Sequence, residues 1–270
     1  MLAEFIVMFR ESIEAALIIG IMLAYLHKTK NQEHEKHVYL GVAWGIIASI
    51  AVAYGFQFVQ GGFEAHEELF EGVFMIIATV LVTWLILWMM ENKKIADTIR
   101  HNVQVKLDSK QTTGLMFLAF TSVFREGIEA VLFMAGIQVS TGGLSLVGGF
   151  LGVVAALIIG YLIFERSMRF DLGKFFKITT IFLIFIAAGL FSHGIHELAE
   201  AKLLPPLVEH LWDINPPQNP DESYPLLHEK GLVGSMAKAL FGYDGNPSLL
   251  RVIAYVGYLG AVYAISRRYK

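Results

Sequence analysis

The sequence predicts an all-α integral membrane protein of about seven transmembrane helices, six of them in a 3+3 inverted repeat with one extra C-terminal helix. Three observations predict it. The 270 residues are 55% hydrophobic and only 17% charged, with a mean hydropathy of +0.56, whereas soluble domains carry about 25% charge. Seven segments stay apolar over the ~20 residues needed to cross a ~30 Å hydrocarbon core. A charged heptapeptide occurs twice, three spans apart.

The same numbers exclude several classes. Disorder, a coiled coil and an ordinary cytosolic enzyme do not fit this apolar content. Twenty-one basic against 24 acidic residues, a net charge of −3, leave no basic face for nucleic acid. The absence of cysteine removes thiolate metal sites and disulfides, so any metal chemistry must use carboxylate, imidazole, hydroxyl or backbone oxygen.

The expected spans are residues 5–26, 38–59, 69–90, 114–139, 144–164, 175–196 and 249–265. The first is interrupted by Arg10, Glu11 and Glu14 and lacks a basic leader, so it reads as a span and not as a signal peptide. Repeat one is expected at about 1–91 and repeat two at about 113–200. A proline-rich outer loop follows at about 197–248, then the seventh span at about 249–266, all within one transmembrane domain over 1–270. Within the outer loop, 198–212 and 231–241 are expected as short interfacial helices and 215–225 as an irregular turn region.

Lysine and arginine set the orientation. Lys28, Lys30 and Lys36 follow span one; Lys93, Lys94, Arg100, Lys106 and Lys110 follow span three. Arg166, Arg169, Lys174 and Lys177 follow span five, and Arg267, Arg268 and Lys270 close the chain. The loops after spans two and four hold no basic residue. The N-terminus is therefore expected outside and the C-terminus in the cytoplasm, in a multi-pass protein of the cytoplasmic (inner) membrane.

The repeated heptapeptide is Phe9-Arg10-Glu11-Ser12-Ile13-Glu14-Ala15, echoed by Phe124-Arg125-Glu126-Gly127-Ile128-Glu129-Ala130. An odd number of spans separates the copies, so they run oppositely through the membrane, as an inverted repeat with a midplane site requires. Glu11 and Glu14, like Glu126 and Glu129, are three residues apart and share a helix face; each arginine lies four residues before a glutamate of its own helix. One charge at the bilayer centre costs about 2.5–3.5 kcal/mol or more, so these groups must face each other, water or an ion. A cation pathway lined by the four glutamates, with Arg10 and Arg125 balancing charge, explains them better than a purely structural ion-pair network, which stabilises weakly.

A second acidic group, Glu64, His66, Glu67, Glu68 and Glu71, opens span three, and His193, His196, Glu197 and Glu200 end span six. Together with Glu209, Asp213, Asp221, Glu222, Glu229 and Asp244 they make the expected outer face acidic, which concentrates cations at the mouth. Oxygen ligands without thiolate suit hard ions such as Fe(III), Mn(II), Mg(II) and Ca(II), and tolerate Fe(II).

The paired Arg-Glu-x-x-Glu motifs, with Glu68-Leu69-Phe70-Glu71-Gly72 opening span three, resemble the high-affinity iron permease family of the oxidase-dependent type, in a bacterial-like member. The resemblance extends to Thr83-Trp84 with Trp88, to Leu172-Gly173-Lys174-Phe175-Phe176-Lys177 and to Phe241-Gly242-Tyr243. Ser12 departs from the usual glycine, which Gly127 keeps. The resemblance implies inward iron transport, as Fe(II) or Fe(III), by a protein that is not an enzyme. It places metal-ligand roles on Glu11, Glu14, Glu126, Glu129, Glu68 and Glu71. Glu64, Glu67, His193, His196, Glu197 and Glu200 join them from the residue reading alone. No tightly bound cofactor is expected; iron is substrate, and a separate extracytoplasmic ferroxidase or iron-delivery protein is a possible partner. The alternatives are transport of another divalent metal such as Mn(II) or Pb(II), a membrane-embedded carboxylate metal oxidase, or a scaffold whose charges organise partners.

Overall fold

The computed structural model describes residues 1–60, 67–91, 95–108, 112–141, 143–165, 172–205, 207–220 and 223–267. Among them the regular structure is entirely helical: α1 (Leu2–Lys28), α2 (Glu35–Gln60, entered through a 3-10 turn at Gln32–His34), α3 (Glu67–Glu91), α4 (Ile95–Asp108), α5 (Thr112–Thr141), α6 (Leu146–Glu165), α7 (Leu172–Glu200), α8 (Leu232–Phe241) and α9 (Leu249–Ser266). Among the described residues, four stretches are long and apolar enough to cross a membrane by length and composition: Gln32–Phe58, Leu146–Phe164, Gly173–Glu200 and Leu249–Ser266. Helices α1 and α5, at 27 and 30 residues, are long enough but carry the charged motifs.

Glycines set how the long helices meet. A β-carbon at Gly148 would meet the Met1 backbone, one at Gly152 the Phe5 and Phe9 backbone, and one at Gly160 the Ala16 side chain. Contacts therefore advance along both chains together, and α1 and α6 pack parallel with their backbones nearly touching. Gly41 meets Met116 and Ala119, Gly45 meets Phe120 and Val123, and Gly127 meets Ser49, so α2 and α5 are parallel as well. Gly72 faces Leu198, and Gly194 faces Met75 and Ile76, which makes α3 and α7 antiparallel. Small residues are how helices approach closely in lipid, where apolar burial provides no net drive.

Two apolar clusters close the bundle. One joins Ala3 and Val7 of α1, Met75, Val82 and Ile86 of α3, Phe133 and Ile137 of α5, the middle of α7, Leu240 of α8, and Tyr258 and Val262 of α9. The other gathers Met22 and Leu26 of α1, Val38, Leu115 and Ala119 around Ile99 and Val103 of α4. The basic stretch after span three, expected as a loop, instead forms a helix over 95–108, because Ile99 and Val103, one turn apart, give it an apolar stripe to lay on the end of α1.

The expected helix over 198–212 is not formed. Helix α7 runs on to Glu200 and is then capped: Lys202 adopts φ 60°, its N–H reaches the Ala199 carbonyl at 3.0 Å, and the Leu203 N–H reaches the Leu198 carbonyl at 3.0 Å. That is a Schellman termination, and Pro205 follows to prevent continuation. Lys30 (φ 58°) closes α1 identically, with the Asn31 N–H on the Leu26 carbonyl at 2.9 Å. The expected short helix at 231–241 is present as α8, ended by Gly242 in the left-handed region. Residues 215–220 and 223–225 are irregular, as expected; Asp221 and Glu222 lie outside the described residues.

Gly152→Ala would place a methyl 2.6 Å from the Phe5 carbonyl oxygen and 2.8 Å from the Phe9 nitrogen, where backbone must move. We expect a loss of about 1–3 kcal/mol, read as a lowered melting temperature of the detergent-solubilised protein.

Candidate metal site

The two motif copies meet inside the bundle. Glu11 lies nine residues into α1, about 14 Å from its start, and Glu126 lies at the middle of the 30-residue α5. Helices α1 and α5 pack against each other, and all four motif glutamates are buried: Glu11 is 2% exposed, Glu14 8%, Glu126 3% and Glu129 6%.

Each helix supplies its own counter-charge. The Arg10 guanidinium donates to Glu11 Oε1 through Nη1 at 2.5 Å and contacts Glu14 Oε1 through Nη2 at 2.7 Å. In α5, Arg125 Nε donates to Glu129 Oε1 at 2.9 Å and stands 3.7 Å from Glu126 Oε1. The copies thus share the ion pair one helical turn apart, and they differ in setting. The Arg10 side chain is fully buried, while that of Arg125 is 37% exposed.

One carboxylate oxygen from each of Glu11, Glu126 and Glu129 lies within 4.8 Å of the others. Oε2 of each is buried and accepts no hydrogen bond. Metal–oxygen bonds of about 2.0–2.6 Å let two ligands of one ion stand about 4–5 Å apart, so this triad can close on a hard cation with small side-chain shifts. Buried acceptors without donors are costly unless something cationic meets them. Glu14, expected in the same constellation, stands outside this triad and is held by Arg10.

The acidic groups expected at the mouth come together at one end of the bundle, where α3 begins and α7 finishes. Glu197 lies within electrostatic reach of Glu200, Glu71 and Glu68. Glu68 is exposed and Glu71 half-buried. Glu64 and His66 lie outside the described residues, and so does the side chain of Glu67. The histidines pair by i, i+4 spacing: His193 Nε2 to Glu197 at 3.4 Å, and His196 Nε2 to Glu200 at 3.2 Å. A small cavity beside His193 is lined by Lys238 of α8 and Arg251 of α9, and Arg251 pairs with Asp244 at 2.6 Å. Sequence patterning did not single out Glu4, 4% exposed. It pairs with the N-terminal ammonium and accepts the Ser145 N–H at 3.0 Å, tying α1 to the segment before α6. Its spacing of seven from Glu11, on one helix face, was the available signal.

The sequence profile of the Iron permease FTR1 family matches residues 1–269. The chain belongs to that family. Among its relatives, an uncharacterized protein of Archaeoglobus fulgidus is 33% identical, covering 99% of this chain and 95% of its own. A ferrous iron permease EfeU of Escherichia coli (strain UTI89) is 31% identical over 96% of this chain and 92% of its own. That of Yersinia pestis is 30% identical over 96% and 90%. No solved structure matches. The protein is an iron permease, a membrane transporter and not an enzyme, and this sets the oxidase alternative aside.

The settings of the two arginines predict unequal costs of removal. Arg10→Ala strands Glu11 and Glu14 in the interior, a loss of about 3–5 kcal/mol for breaking a buried pair. Arg125→Ala, at a partly exposed position, should cost distinctly less. Thermal melts of both variants in one detergent would rank them.

Proposed function

We propose that this permease carries ferrous iron inward across the cytoplasmic membrane through a site formed by Glu11, Glu126 and Glu129, with Glu14 alongside. The observation that carries the reading is the approach, within 4.8 Å, of carboxylate oxygens from both motif copies in a member of an iron permease family. Four glutamates against two arginines leave a formal charge of −2, which a divalent ion neutralises and a trivalent ion overshoots. The relatives named ferrous iron permease point to the same valence.

The reading includes seven spans, with α1–α3 and α5–α7 as inverted repeats and α9 as the seventh. Helix pairing supports it: exchanging α1, α2 and α3 for α5, α6 and α7 turns the α1–α6 pair into the α2–α5 pair, both parallel, and returns α3–α7 to itself. Alternating access around a central site is the mechanism expected of such symmetry. The distribution of basic residues favours an N-terminus outside. Iron then gathers at Glu68, Glu71, Glu197 and Glu200, with Glu64, Glu67, His193 and His196 adjoining, passes to the central glutamates and leaves at the basic face. Iron is substrate, with no resident cofactor, and a separate extracytoplasmic iron-delivery protein would hand it over still reduced.

Radio-iron uptake into liposomes holding the purified protein tests this. Fe(II) uptake should exceed Fe(III) uptake, and Glu11→Gln, Glu126→Gln and Glu129→Gln should each lower it at least tenfold. Uptake that survives all three would sink the site.

A further inference from the structure

We propose that Arg125 is the exchangeable counter-ion of the glutamate site: it releases Glu129 as the cation binds and recaptures it as the cation leaves, while Arg10 stays clamped. The inference rests on the reading of Glu11, Glu126 and Glu129 as the iron ligands.

The two arginines occupy equivalent positions in motifs that differ only at Ser12 and Gly127, so their difference comes from their surroundings. Arg10 is enclosed and bridges two carboxylates of its own helix, at 2.5 and 2.7 Å. Swinging it away would leave a guanidinium and two carboxylates unpaired in the interior, and breaking a buried pair is strongly unfavourable. One of its partners, Glu14, is outside the oxygen triad. Arg125 has over a third of its side chain exposed and contacts Glu129 at 2.9 Å and Glu126 at 3.7 Å. Both of these are triad members. A cation entering the triad competes with Arg125 at Glu126 and Glu129, and with Arg10 at Glu11.

Exposure makes the competition reversible. A guanidinium half-way along a membrane helix is tolerable where water or polar groups meet its open side. Leaving Glu129 therefore takes Arg125 into an environment it already touches, on a long stem suited to such movement. A buried carboxylate site otherwise faces a conflict, since an affinity high enough to strip water from iron also slows release. A tethered cation resolves it, because its effective concentration at the glutamates is far above that of any free competitor.

Two measurements on the full-length protein in detergent test the proposal. Phenylglyoxal labelling of Arg125, followed by peptide mass spectrometry, should rise at least twofold when ferrous iron, kept reduced by ascorbate, saturates the wild type. In Arg125→Gln, ferrous iron should bind at least threefold tighter while uptake into liposomes falls at least tenfold, and Arg125→Lys should regain part of that uptake. Protection of Arg125 by iron, or unchanged labelling, overturns the exchange. So does unaltered or weaker binding in Arg125→Gln, or the same tighter-but-slower behaviour in Arg10→Gln. Should Arg125→Gln not fold, wild-type labelling decides alone. Failure of the underlying site looks different: the Gln variants at Glu11, Glu126 and Glu129 would then bind iron as well as the wild type.

Discussion

Everything in the bundle's centre depends on one arrangement: an arginine with no access to solvent, gripped by two glutamates of its own helix. Ionised groups cannot stay inside a membrane protein unless charge meets charge at hydrogen-bonding distance. The spacing of Arg10 and Glu14 provides this within a single turn, before any other helix arrives. It leaves a surplus of negative charge, and α5 adds a second motif whose surplus points at the same place. Packing follows from that need. Helices α1 and α5 must come close enough for their carboxylates to share a few ångströms, and the glycines of α6 and α2 let those two helices back them closely.

Much of this was legible in the sequence, for definite reasons. Long apolar runs read directly as helices, and i, i+3 and i, i+4 spacings put Arg10, Glu11 and Glu14 on one face without reference to the rest of the chain. The α8 segment was readable because Gly231 and Gly242 bracket it. What failed required knowledge of neighbours. Helix α4 hid behind the basic residues in and around it, since its apolar stripe is narrow and gains meaning only from the end of α1 that it covers. The helix expected over 198–212 gave way to a cap at Lys202, a lysine in a left-handed conformation that no propensity would select. Spacing on α7 allowed histidine to face histidine or glutamate; the structure chose His193 with Glu197 and His196 with Glu200.

The division of the four motif glutamates was also beyond sequence. Both copies read Arg-Glu-x-x-Glu, yet Glu129 joins the oxygen triad and its counterpart Glu14 does not. Internal repetition makes two halves equal in pattern, while everything packed around them is free to differ. Here α4 and α8 lie at unlike places, and Ser49 presses on Gly127. The outcome is a repeated motif whose two copies do not contribute equally to the oxygen triad.

The glycine contacts also have a mechanical side. With backbones in contact along their length, α1 and α6 resist sliding past one another, and so do α2 and α5. Each couple behaves as a stiff plank assembled from opposite halves of the chain. Glu11 rides on one plank, Glu126 and Glu129 on the other. A shear of an ångström or so between planks would stretch one ligand away from two while bending neither helix and disturbing no glycine seam. The grip on an ion would then loosen through a joint that the fold already contains.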